Sequence, residues 1–96
     1  MLARFERDVL ARPGVTHALM LIGVNDLGVL RTSGKETPEA RVVMVEEIKA
    51  GWRQLAALAH GRGVCLIAGT LTPYGASRRF KPEAHNAADR LALNDW

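Results

Sequence analysis

Apolar positions along the chain fall into two patterns. Some recur every three or four residues, and some form short unbroken runs. Leu2, Phe5 and Val9 share one face at helical spacing and predict a helix over residues 2–11, closed by Pro13-Gly14. Residues 16–22 follow as a continuous run, too short for an amphipathic helix; the pattern predicts a strand covered on both faces. Residues 27–37, with Gly28, Ser33 and Gly34, read as a loop. Thr37-Pro38-Glu39 then opens a helix: Thr37 caps, Pro38 is preorganised for the first turn, and Glu39 suits the positive dipole end. Val45, Ile48, Trp52, Leu55 and Ala59 make one apolar stripe along it. Gly51 costs that helix about 1 kcal/mol against alanine, which a close approach of helix to sheet would justify. Gly61-Arg62-Gly63 stops it, one glycine taking a left-handed conformation. Val64 to Ala68 predicts a second buried strand, and Leu71 to Gly75 a loop. Pro82-Glu83 opens a last helix with Ala84, Ala88 and Leu91 on one face.

The order is helix, strand, loop, helix, strand, loop, helix. A strand–helix–strand unit implies a right-handed parallel crossover and a three-layer α/β architecture. Parallel strands point their carboxyl ends the same way, and ligands of open α/β sheets bind outside those ends. Gly23-Val24-Asn25-Asp26 and Leu71-Thr72-Pro73-Tyr74 both follow strands and so fall on that edge. Asn25 there is either a hydrogen-bond donor for a ligand or plain turn chemistry, since Asn and Asp tolerate unusual backbone angles. The same dipeptide recurs as Asn94-Asp95.

Composition changes this picture little. Ninety-six residues suit one small domain or part of a larger one, with marginal burial. The net charge of +3 comes from arginines scattered among acids. Only Arg78-Arg79-Phe80-Lys81 is a basic cluster, and it reads as a solvated loop, so no nucleic-acid partner is expected. Cys65, the only cysteine, sits in an apolar run and reads as a buried, inert thiol. Arg4, Glu6, Arg7 and Asp8 break any early apolar run, so no signal peptide is seen and the compartment stays open. No apolar run approaches the ~20 residues of a membrane helix. The histidines lack metal-ligand spacing, so neither a metal nor another cofactor is expected.

The order of these blocks resembles the SGNH hydrolases, the GDSL-type lipases and esterases, and within them the bacterial secreted-esterase branch. The resemblance rests on Gly23-Val24-Asn25-Asp26 at the end of a strand. Further blocks support it: Phe5 to Leu10 before Pro13 to His17, Gly51 to Leu55, Ala68 to Pro73, and Leu93 to Trp96. It covers nearly the whole chain and implies a three-layer, flavodoxin-like parallel-sheet fold. It also implies that Asn25 donates its side-chain amide to an oxyanion hole, with Gly23 and Asp26 supporting the motif. Asp26 is expected to hold the loop rather than touch substrate. Thr70 and Pro73 fall either on a substrate loop or at a simple strand end.

The family's Gly-Asp-Ser nucleophile motif and its Asp-x-x-His motif do not occur in these residues. The chain therefore reads as the middle of one SGNH-type domain, residues 1–96, inactive alone, its substrate a small-molecule ester if completed. Ser33 and Ser77 are not on a strand-to-helix elbow. His17, His60 and His85 make no triad with them. A different class also fits: a small α/β binding or self-assembly module, pairing through the open edges of a two-stranded sheet.

Overall fold

The computed structural model describes residues 2–96. It is a mixed α/β chain whose contacts gather into two compact units, one from residues up to Leu21 with Ala50–Gly69, the other from Ile22–Lys49 with Thr70–Trp96.

In the first unit, α1 (Leu2–Phe5) runs directly into a π-helical turn, Glu6–Leu10. Phe5 and Leu10 are its buried residues. Glu6 also forms an ion pair with Arg62 beyond the end of α3. Strand β1 (His17–Met20) pairs in parallel with β2 (Cys65–Ala68), His17 opposite Cys65 and Met20 opposite Ala68. The ladder extends through Cys65 N–H to the Thr16 carbonyl and Gly69 N–H to the Met20 carbonyl, both at 2.9 Å. The long helix α3 (Pro38–Gly61) gives its second half to this unit, and Leu55 and Ala59 of the predicted stripe are buried. Gly63, with φ of 69°, supplies the left-handed turn after α3.

Three expectations are corrected here. The strands are not covered on both faces: side chains alternate, and the face carrying Leu19 and Ile67 leaves them 68% and 49% exposed. Cys65 shares that face and is exposed, not buried. A Cβ on Gly51 would meet nothing within 4 Å, so no close helix–sheet approach explains that glycine.

In the second unit the supposed loop of residues 27–37 is mostly helix. Helix α2 spans Val24–Thr32, and only residues 33–37 link it to α3. Gly28, one of the residues that made this stretch read as a loop, is buried where α2 meets the Phe80 ring. Thr37 caps α3 as expected, its Oγ1 accepting from Ala40 N–H at 3.1 Å. Val45 and Ile48 continue the buried stripe.

Helix α4 (Ala84–Asp95) packs with α2, but not through the predicted face. Ala84, Ala88 and Leu91 are exposed; Asn86 and Leu93 are buried. The inward face is polar at its start, and its hydrogen bonds replace apolar contact there. Asn94 is no idle repeat of the Asn-Asp dipeptide either. Its Oδ1 accepts from Leu71 N–H at 2.6 Å and its Nδ2 donates to the Leu71 carbonyl at 3.0 Å. One side chain thus satisfies both backbone groups of a buried residue, as a neighbouring strand would.

Candidate functional site

Gly23, Asn25, Asp26, Thr70 and Pro73 all lie in the second unit. Gly23 precedes α2 with φ of 131° and ψ of −28°, a conformation costly for any residue with a Cβ. That turn starts the helix at Val24 and puts Asn25 and Asp26 in its first turn, both exposed. The carboxamide of Asn25 has no hydrogen-bond partner among the described residues. It lies at the end of α2 where the first N–H groups lack helical acceptors and the dipole favours negative charge.

Asp26 does not hold the loop as expected. Its carboxylate makes no hydrogen bond among the described residues, and its place is simply that of an acid in a first helical turn. Thr70 is exposed, and Pro73 lines a cavity of about 310 Å³ that Gly23, Asn25, Asp26 and Thr70 do not line.

That cavity has mostly apolar walls, from Pro73, Tyr74, Pro82, Ala84 and Ala87. The Tyr74 ring is set edge-on to Phe80, with centroids 6.3 Å apart at 86°. Burial, with the nearby charges of Asp89 and Glu36, pushes the Tyr74 hydroxyl above its usual pKa of 10.0. Two charged residues, Glu83 and Arg90, complete the lining.

Beside it lies a polar network the sequence reading missed. Glu36, in the short α2–α3 link, has a side chain only 9% exposed. Its Oε1 accepts from His85 Nε2 at 2.7 Å and its Oε2 from Asn86 Nδ2 at 2.8 Å. Asn86 also takes the Glu83 backbone N–H on its Oδ1 at 2.8 Å, half of a reciprocal capping box with Glu83. Arg31 reaches Glu83 at 2.6 Å, and Arg41 grips Asp89 through two bonds of 2.8 Å while donating to the His85 carbonyl. One signal was readable: Pro82-Glu83 marks the opening of a helix, though not the partners its side chains take. Glu36 carried none, because its partners lie some fifty residues away.

Burial alone would raise the Glu36 carboxyl, but the bonds from His85 and Asn86, helped by the charges of His85 and Arg31, hold it below its ordinary value of 4.5. A carboxyl lowered in the folded state contributes stability that is complete above its unfolded value and lost as pH falls through the folded one. Acid unfolding should therefore steepen below about pH 4.5. Glu36→Gln should flatten that limb of a pH titration of the denaturation midpoint.

The expected serines and histidines do not form a catalytic set. Ser33 donates to the Leu30 carbonyl and accepts from Lys35 N–H; Ser77 accepts from Phe80 N–H. His17 contacts the neighbouring Thr16 hydroxyl, His60 is exposed near the end of α3, and His85 is engaged by Glu36. Neither serine bonds a histidine among the described residues. No group of three or more His, Cys, Asp and Glu residues there is placed to hold a metal, and no described helix is long and apolar enough to cross a membrane. Arg78, Arg79 and Lys81 are exposed loop residues, and Arg79 stacks 5.1 Å from the Phe80 ring.

The class these observations define is a small α/β protein with a two-stranded parallel sheet. Compared with known proteins, the chain matches no family model and no curated sequence.

Proposed function

We propose that these residues supply the oxyanion side of an SGNH-type serine ester hydrolase, with a three-layer parallel-sheet domain completed by residues other than these. In this reading Asn25 donates its amide to the carbonyl oxygen of a small ester as negative charge develops on it. A preorganised donor stabilises that charge more than the neutral carbonyl, and removing one typically costs on the order of 10²–10³ in rate. The observation that carries the proposal is the uncommitted, exposed amide of Asn25 in the first turn of α2, reached through the left-handed Gly23. The order of the SGNH-like blocks in the sequence supports it. Gly23 makes the turn, Asp26 reinforces the acidic first turn, and the nucleophilic serine and basic histidine come from outside this stretch. No cofactor is needed. Intact-mass measurement after a fluorophosphonate probe should show no adduct on the 96-residue chain, because Ser33 and Ser77 have no base to activate them. A stoichiometric adduct on either serine would overturn this division of roles.

A second reading is favoured by one observation, the exposed apolar face of β1 and β2 carrying Leu19 and Ile67, beside strand edges that a two-stranded sheet leaves unpaired. It makes the chain a self-assembling module without catalysis. Light scattering coupled to size exclusion separates the readings. A concentration-dependent dimer supports assembly, and a monomer that still melts cooperatively counts against it.

A further inference from the structure

We propose that the cavity between the Pro73–Gly75 segment and the start of α4 is a binding site for a small organic carboxylate with an apolar body, anchored by Arg90. The inference stands apart from the esterase reading, since Asn25 does not line this cavity.

The size is right for a small ligand. About 310 Å³ has room for roughly ten water molecules at about 30 Å³ each, hence a molecule of about ten non-hydrogen atoms. The walls of Pro73, Tyr74, Pro82, Ala84 and Ala87 call for an apolar body, and the Tyr74 ring is held in place by its edge-on contact with Phe80.

The charge pattern selects the head group. Arg90 is half-buried and makes one hydrogen bond, from one guanidinium nitrogen to the Leu71 carbonyl at 3.1 Å. Among the described residues no carboxylate pairs with it. Arg41 and Arg31 are committed to Asp89 and Glu83, and Arg78, Arg79 and Lys81 are exposed loop residues outside the lining, so Arg90 is the one basic side chain among the lining residues. A guanidinium has five donors, so Arg90 keeps enough to hold a carboxylate through two parallel bonds. The one acid in the lining, Glu83, does not cancel this. Its Oε1 lies 2.6 Å from Arg31 and its Oε2 lies 3.7 Å from His85 Nδ1.

The test is a titration of the ¹⁵N-labelled 96-residue chain with benzoate and, separately, with benzamide, which has the same shape and no charge. Benzoate should saturate, with shifts confined to Gly75, Ala84, Ala87 and Arg90, and benzamide should bind at least about tenfold more weakly. Arg90→Gln should weaken benzoate by a similar factor and leave benzamide unchanged. Arg90 also holds the Leu71 carbonyl, so that variant can lose its fold. The comparison of the two ligands on the unmodified chain then decides alone. No saturation by benzoate at about 20 mM, equal affinity for the two compounds, or shifts mapping elsewhere would each overturn the proposal.

Discussion

Gly28→Ala should destabilise the second unit by about 2 kcal/mol, although alanine is the better helix former. The substitution gains about 1 kcal/mol of intrinsic helix propensity. Against that, the new Cβ would lie 2.5 Å from both Cδ atoms of Phe80, far inside van der Waals contact. Phe80 has little room to retreat. It is buried, edge-on to Tyr74, and covered by the Arg79 guanidinium. Overpacking of this kind typically costs 1–3 kcal/mol or more, so the clash outweighs the propensity. Gly51→Ala is the matched control. It is also a glycine inside a helix, but its Cβ would meet nothing within 4 Å. There only propensity acts, and the variant should be stabilised by about 1 kcal/mol. Urea unfolding of the two variants should move the midpoint in opposite directions. A stabilised Gly28→Ala would contradict the packing of α2 on Phe80.

Asn86→Ala should have the larger effect, a loss of about 2–4 kcal/mol. Asn86 is 2% exposed and holds two groups at once, the Glu36 carboxylate and the Glu83 backbone N–H. Alanine leaves Glu36, itself nearly buried, with one fewer donor, and leaves the N–H without its partner. Hydrogen bonds to a charged group are worth about 1.5–3 kcal/mol, and an unsatisfied buried group adds to that. Asn86→Asp sharpens the test. It puts a second carboxylate about a hydrogen-bond length from Glu36, so its penalty should be greatest at neutral pH and shrink in acid. Chemical denaturation at pH 7 and at pH 4 reads this directly. A penalty independent of pH would show that Glu36 and residue 86 do not face each other.

The elements that periodicity governs were legible in the sequence, and those that pairing governs were not. Of the predicted stripe, Val45, Ile48, Leu55 and Ala59 are buried and Trp52 is half-buried, and Thr37 and Gly63 bound α3 as their chemistry requires. The parallel pairing of the two strands followed from the strand–helix–strand order. Helix α2 was missed because residues 27–37, with their glycines, serine and threonines, read as a loop, whereas Gly28 is a packing glycine whose reason sits fifty-two residues away at Phe80. The inner face of α4 was misread because alanines marked a stripe that is exposed, while Asn86 and Asn94 turn inward to bond Glu36 and Leu71. Burial of a polar side chain depends on a distant partner, and no local window contains it. Cys65 and the strand faces were misjudged for a related reason. A continuous apolar run says what a strand can bury, not what lies over it.

Of the candidate site, a turn at Gly23 was readable from four residues, whereas the helix that carries Asn25 in its first turn was not. The partnerless state of the Asn25 amide and the lone Arg90 were not, since both depend on which partners other side chains take.

The most direct test of the functional account is hydrolysis of p-nitrophenyl acetate by the polypeptide as its gene encodes it, compared with its Asn25→Ala variant. The account predicts serine-dependent turnover with kcat/KM lowered on the order of 10²–10³ by the substitution, with folding unchanged by circular dichroism. Equal rates for the two proteins, or no serine-dependent hydrolysis in either, would contradict it.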